Sequence, residues 1–150
     1  MNPARIGLLG LGTVGGGTTR VLERNADEIS RRAGREIIVT HGCARRLDRI
    51  SACTRGMKLT TNAFEVVNDP DVQVIVELIG GLEPARTLVL QAIRNGKHLV
   101  TANKALIAHH GNEIFAAAGE RGVMVAFEAA VAGGIPIIKA IREGLAGNRI

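Results

Sequence analysis

One short stretch limits what this chain can fold into more than any other. Gly10-Leu11-Gly12-Thr13-Val14-Gly15 follows directly on an apolar run at 5–9. It opens a segment, 13–32, in which Val14, Val21, Leu22 and Ile29 recur at helical spacing until Gly34 closes it. Glycine at these three positions suits a tight strand-to-helix turn. The first permits the turn, the second removes a side chain where backbone must approach a pyrophosphate, and the third lets helix and strand pack closely. The helix start then offers free N–H groups and the positive end of its dipole to an anion. No Gly-Lys-Ser/Thr follows, so this is not a Walker loop, and a dinucleotide is the better ligand. A Gly-rich chain also produces such spacing in ordinary strand–helix turns. On the binding reading, Gly10, Leu11, Gly12, Thr13, Val14 and Gly15 present backbone to the phosphates.

The rest of the chain alternates in the same way. Residues 36–44 are β-branched and read as a second strand, whereas 46–60 are basic, poorly patterned and read as loop with at most a short helix. Asn62-Ala63-Phe64-Glu65 resembles a capping box and opens a short helix through Val67. After the turn Asp69-Pro70-Asp71, residues 72–79 form a near-continuous apolar run, as expected of a strand covered on both faces. Pro84 can start a helix with Leu88, Val89, Ala92 and Ile93 on one face, ended by Asn95-Gly96. A strand at 98–101, helical segments at 104–109 and 112–119, a strand at 123–127 and a helix from 136 to 145 complete the pattern. Strands alternating with helices imply right-handed crossovers. The expected fold is therefore α/β: a Rossmann-like, doubly wound, mainly parallel sheet with helices on both faces, as one domain over 1–150. The chain stops at Asn148-Arg149-Ile150, just after a helix and without a polar tail, as expected where a further domain follows.

Composition removes other classes. With 150 residues, 46% of them hydrophobic, the chain can bury roughly 70% of its unfolded surface and needs no disulfide or metal to fold. No run of about 18 apolar residues occurs, so no membrane span is expected, and the apolar run near Met1 is too short and Gly-rich for a signal peptide. Cys43 and Cys53 lack metal spacing and read as reduced thiols of a cytoplasmic protein. Three Phe, with no Trp or Tyr, disfavour single-strand nucleic-acid binding by base stacking. Residues 31–58 hold eight basic residues and two acids, whereas the remainder is nearly balanced. Such a patch suits DNA, a pocket for one phosphorylated ligand, or plain solvation.

Four sites carry chemistry. At the end of the second strand stand Arg45-Arg46, where an NAD-preferring site would place an acid for the ribose 2′-hydroxyl. Cations suit a 2′-phosphate, which favours NADP with NAD still possible; Arg45 comes first, and Arg46 and Lys58 are weaker candidates. Both arginines would equally tolerate pointing to water. Ile79-Gly80-Gly81 and Thr101-Ala102-Asn103-Lys104 lie at the carboxyl ends of parallel strands, where ligands of open α/β sheets bind. Gly80 would let the nicotinamide ribose approach, Lys104 could orient a carbonyl or carboxylate, and Asn103 could hold Lys104 in place; a lone surface lysine is the plain alternative. The small-residue loop from Glu128 to Pro136 exposes carbonyl oxygens of the kind a hard cation accepts. His41, His98, His109 and His110 show no ligand spacing and read as ordinary.

Beyond these signals, the chain resembles the N-terminal, nucleotide-binding domain of the homoserine dehydrogenases. The resemblance rests on four stretches in family order: residues 6–15, Val76-Glu77-Leu78-Ile79-Gly80-Gly81, residues 96–106 (Gly96 to Leu106) and residues 127–139 (Phe127 to Lys139), of which the last two are the specific ones. It implies NAD(P)-dependent hydride transfer between L-homoserine and L-aspartate 4-semialdehyde in threonine and methionine synthesis. It implies cofactor roles for Leu11, Thr13, Val14, Arg45 and Lys104, with Lys104 also facing the reacting centre. It places a structural sodium ion at Glu128, Val131, Gly133 and Ile135. Members of that family are longer, so the substrate-gripping acids, the proton-donating lysine and the homo-oligomer contacts are expected beyond Ile150, and the isolated chain is expected to bind nucleotide without turnover. With Met1 just before the first strand, no aspartokinase domain is expected ahead of it. The competing readings are another NAD(P)-dependent amino-acid or semialdehyde dehydrogenase, and a nucleotide-sensing or DNA-binding module without redox chemistry.

Overall fold

Six parallel strands in the order β3-β2-β1-β4-β5-β6 form the centre of the computed structural model, which describes residues 2–50 and 54–147. Chain order gives β1 (Ala4–Leu9), α1 (Thr13–Arg24), α2 (Ala26–Ala33), β2 (Ile37–Cys43), β3 (Lys58–Thr60), α3 (Ala63–Asn68), β4 (Val74–Glu77), α4 (Ala85–Arg94), β5 (His98–Thr101), α5 (Lys104–Arg121), β6 (Val125–Ala126) and a short α6 (Ile137–Lys139). This is the expected Rossmann-like α/β architecture.

One layer of core packs Leu9, Ile75 and Leu99 of the sheet under Val66, Leu88, Ile93, Leu106 and Ile114 of α3, α4 and α5. On the other face, Ile6, Leu8 and Val76 pack with Leu11 and with Ile50 and Met57 from the loop after β2. That second face stays open over β5, where His98 and Val100 are exposed. A bulge decides which layer β2 serves. Ile6 pairs with Val39, but Gly7 pairs with His41, so Thr40 is an extra residue. Val39 joins the second layer, and after the bulge His41 and Cys43 turn to the first. Thr40 Oγ1 is left buried without a partner among the described residues.

Several boundaries depart from the sequence reading, each for a local reason. The helix expected over 13–32 is two helices that break at Asn25. The basic segment read as loop holds a 3₁₀ turn, Leu47–Arg49, and the edge strand β3, whose Lys-Leu-Thr sequence carries no apolar alternation. The strand expected over 72–79 ends at Glu77, because the Glu77 side chain captures the Ile79 N–H. Residues 104–121 form one helix, with Gly111 buried inside it rather than dividing it. At α3 the capping box is only half made: Asn62 Oδ1 accepts from Phe64 N (3.1 Å), and the Asn62 N–H goes to Thr60 Oγ1 (3.0 Å) instead of Glu65. The helix expected over 136–145 is α6 followed by a π-helical turn, Ala140–Gly144, largely exposed, as are Ile135 and Ile141. Cys43 is buried and free, burial and then Glu65 pushing its thiol up; Cys53 lies outside the described residues. Among the described residues no helix is long and apolar enough to cross a membrane.

Candidate functional site

The strand order reverses between β1 and β4, and the crevice at their carboxyl ends is where open α/β sheets bind ligands. The glycine turn stands there, stitched to both neighbours. Gly10 N donates to Cys43 O of β2 (3.0 Å), and Leu78 N after β4 donates to Leu9 O (2.8 Å). The three glycines separate cleanly by what surrounds them. Gly10 has φ +101°, and a Cβ there would lie 2.8 Å from Leu78 O; a Cβ on Gly15 would lie 2.0 Å from Gly10 O. Those two are required by the protein's own packing. Gly12 has φ −80°, open to any residue, and a Cβ there would meet nothing within 4 Å. Among the described residues nothing in the packing keeps a side chain off Gly12, and the bare backbone leaves the turn open to something from outside.

What it would admit is an anion. No side chain caps α1, so its first N–H groups, which have no partners within the helix, point into this opening. Thr13 and Val14 are exposed beside it, whereas Leu11 is buried in the second core layer and can offer only backbone. Two residues past β2, Arg45 is exposed with no hydrogen bond or ion pair among the described residues. Arg46 is not equivalent: its Nη2 and Nε bond Asp48 Oδ2 (2.7 Å) and Oδ1 (3.3 Å), which holds the Asp48 carboxyl below its ordinary range. Lys58 begins β3 opposite His41 and acts on Asp69 near the other edge of the sheet, which removes it from the candidates for this pocket. The basic stretch is not one free patch, since Arg31 and Arg32 both pair with Glu28 on α2.

The loops after β4 and β5 complete the crevice. Gly80 and Gly81, at φ +80° and +73°, are exposed with open space where side chains would stand. Asn103 caps α5 by accepting from Leu106 N (3.1 Å) and donates through Nδ2 to Gly81 O (2.6 Å). Lys104 is thereby set at the first turn of α5, exposed and without a partner among the described residues. Glu77, fully buried at the end of β4, accepts from Ile79 N and Gly80 N, a residue the sequence reading did not single out. A polar residue closing an apolar strand run was the available signal.

The loop from Glu128 to Ile135 is less open than its composition suggests. Both Glu128 carboxyl oxygens accept backbone N–H groups, from Ile138 (2.8 Å) and Lys139 (3.1 Å), so the carboxylate caps α6. The carbonyls of Glu128 and Ile135 each accept one backbone N–H, from Val131 and Ile137. Those of Val131 and Gly133 accept none from backbone among the described residues.

At the opposite edge of the sheet the polar groups close on one another. A cleft of about 660 Å³ there is lined by Asn68, Pro70, Gln73, Asn95, Lys97 and His98, among others. Lys97, 4% exposed, donates to Asp69 O (2.5 Å) and Val72 O (2.6 Å), and burial pulls its ammonium below the ordinary lysine range despite the nearby Asp69. Asn95 donates to Val67 O (2.9 Å), and Asp69 Oδ2 meets the buried His41 Nδ1 at 2.7 Å. His41, read from the sequence as ordinary, is thus a buried member of this network.

Known proteins share this fold. The sequence profile described as "Homoserine dehydrogenase, NAD binding domain" matches residues 10–128. A homoserine dehydrogenase of Pseudomonas aeruginosa is 64% identical over all of this chain, which corresponds to 34% of its length. The crystal structure of a homoserine dehydrogenase from Thiobacillus denitrificans superposes with a TM-score of 0.95 at 69% identity, over 100% of this chain and 35% of that one. A hyperthermophilic archaeal homoserine dehydrogenase in complex with NADPH shares the fold at 24% identity, with a TM-score of 0.81 over 97% of this chain and 50% of that one. This chain therefore spans about a third of the length of the curated relatives it matches.

Proposed function

The chain belongs to the homoserine dehydrogenase family as its NAD-binding domain, and from that membership we propose that it holds NADP(H) for hydride transfer between L-homoserine and L-aspartate 4-semialdehyde. The observation that carries the reading is Gly12: a glycine that neither backbone conformation nor internal packing requires, beside an uncapped helix start. Residues Gly10 to Gly15 would receive the pyrophosphate on backbone N–H groups, and the dipole of α1 would favour its charge. Arg45 would meet the 2′-phosphate in charge-assisted hydrogen bonds. Arg46, held by Asp48, contributes less. Gly80 would admit the nicotinamide ribose, and Lys104 would orient the substrate's oxygen at the reacting centre. The bound nicotinamide supplies the hydride donor or acceptor. Turnover also calls for groups that grip an amino-acid ammonium; this crevice presents none among the described residues, so the chain is expected to bind nucleotide without catalysis by itself.

The structural sodium ion that the resemblance implies would rest on the loop carbonyls, beside a Glu128 carboxylate that accepts one N–H on each oxygen. A carbonyl oxygen has two lone pairs, so those of Glu128 and Ile135 keep one each after their hydrogen bonds, and those of Val131 and Gly133 are free of backbone donors among the described residues. Oxygen donors of this kind suit a hard cation.

Calorimetric titration with NADP and NAD tests the function, on the wild type and on Arg45→Ala. NADP should bind more tightly than NAD to the wild type, and the difference should shrink by about tenfold in the variant, the worth of hydrogen bonds to a charged group. Equal binding of the two nucleotides before and after substitution would leave no role for Arg45 at a 2′-phosphate.

A further inference from the structure

Glu77 is 0% exposed and sits in the middle of the sheet, between β1 and β5, at the last position of β4. Burying a carboxyl there costs several kcal/mol unless hydrogen bonds satisfy it. Apolar packing would fill the position at no such cost, so its bonds must do something that packing does not. Its Oε1 accepts from Ile79 N (2.8 Å) and Gly80 N (3.1 Å), and its Oε2 accepts from Thr101 Oγ1 (2.6 Å). Thr101 Oγ1 in turn accepts from Asn103 N (3.0 Å), and Asn103 Nδ2 donates to Gly81 O (2.6 Å). The bonds close a ring: from Glu77 through Gly80 and Gly81 to Asn103, and back through Thr101. The ring joins two loops that leave different strands, one carrying Gly80-Gly81 and the other Lys104.

The geometry points to Glu77 as a positioning residue, one that sets where the Gly80-Gly81 turn stands relative to Lys104 and so preforms the nicotinamide end of the pocket. This rests on the nucleotide reading above. Glu77 touches neither nucleotide nor substrate; it acts through backbone N–H groups and through Thr101. A ring fixed before binding spares the ligand the ordering of two loops, which is how preorganisation raises affinity. The adenosine end is held elsewhere, by the α1 start and Arg45, and does not depend on the ring. The two ends of one ligand should therefore respond differently when the ring is cut.

Calorimetry with NADPH and with 2′-phospho-ADP, which keeps the adenosine, its 2′-phosphate and the pyrophosphate but lacks the nicotinamide and its ribose, reads that difference. In Glu77→Gln one carboxyl oxygen becomes a donor facing Thr101, and in Thr101→Val the hydroxyl is gone. Either change should weaken NADPH by about tenfold, the worth of a hydrogen bond to a charged group, and leave 2′-phospho-ADP essentially unchanged. Thr101→Ser, which keeps the hydroxyl, should restore NADPH binding. If Glu77→Gln does not fold, the Thr101→Val and Thr101→Ser pair gives the same answer. Equal losses for both ligands, or no loss for NADPH, would overturn the positioning role while leaving the nucleotide reading intact. A wild type that binds neither ligand would overturn the nucleotide reading and this inference with it.

Discussion

At the amino-terminal edge of the sheet, His41, Asp69, Asn95 and Lys97 spend their hydrogen bonds on one another and on nearby carbonyls. At the carboxyl-terminal edge, Arg45 and Lys104 have no partner among the described residues, and the start of α1 has no cap. Both edges are rich in polar groups, and the former even borders a cleft. The difference lies in what remains both unsatisfied and accessible, because at the former edge the ring atom His41 Nε2, which has no partner among the described residues, is buried. Groups that satisfy each other hold loops in place; N–H groups and cations left over in a preformed crevice are available to a ligand. A cleft lined by polar groups is therefore not by itself a binding site.

Substitutions can break or sharpen that contrast. The largest effect belongs to Gly15→Ala. The new methyl would sit 2.0 Å from the Gly10 carbonyl oxygen, so strand and helix must part. We expect a loss of about 4 kcal/mol or more in chemical denaturation, with nucleotide binding lost alongside. Lys97→Met comes next. It leaves the carbonyls of Asp69 and Val72 without their buried donor, which should cost about 3 kcal/mol while the affinity for NADPH stays as in the wild type. A parallel fall in affinity would show that the two edges are coupled and would undo the contrast.

Gly12→Ala reverses the pattern. Nothing within the protein meets the added methyl, so the unfolding midpoint should hold within the small penalty of under about 1 kcal/mol for alanine at a helix N-cap. NADPH affinity should fall by about tenfold or more, as for one excess methyl in a closely fitted pocket. Normal binding in this variant would remove the main support for a phosphate cradle. The smallest effect is that of pH through Asp69. Burial pushes its carboxyl up, but the hydrogen bonds from Asp71 N–H and His41 and the charges of His41 and Lys58 together hold it below the ordinary aspartate range. Its stabilising contribution is therefore complete above the unfolded value and is lost as pH falls through the folded one. The stability gap between wild type and Asp69→Asn should narrow in acid, as followed by thermal melts across that range.

The features most legible in the sequence were those with a backbone cause. The glycine turn, the helix from Pro84 and the strand at 98–101 each carry a local signal strong enough to survive tertiary context. The strand Lys58–Thr60 carried none, because it is an edge strand defined by pairing with β2 rather than by its own pattern. The half-made capping box at Asn62 depended on Thr60, which belongs to that unseen strand. In the pocket, Arg45 and Arg46 looked alike in sequence, and only their surroundings separate them, because Asp48 reaches back two residues to one and not the other. Glu77 and Lys97 escaped notice for a related reason: a single charged residue reveals its purpose only through the partners that folding brings to it.

The extra residue at Thr40 has a reach well beyond its own strand. In a regular strand Val39 and His41 would share a face; the bulge sends one to each layer. Without Thr40 the strand would run in unbroken register, Val39 still opposite Ile6 and Cys43 still opposite Leu9. A relative that shortened this strand by one could therefore present the residue after it at the same place in the crevice.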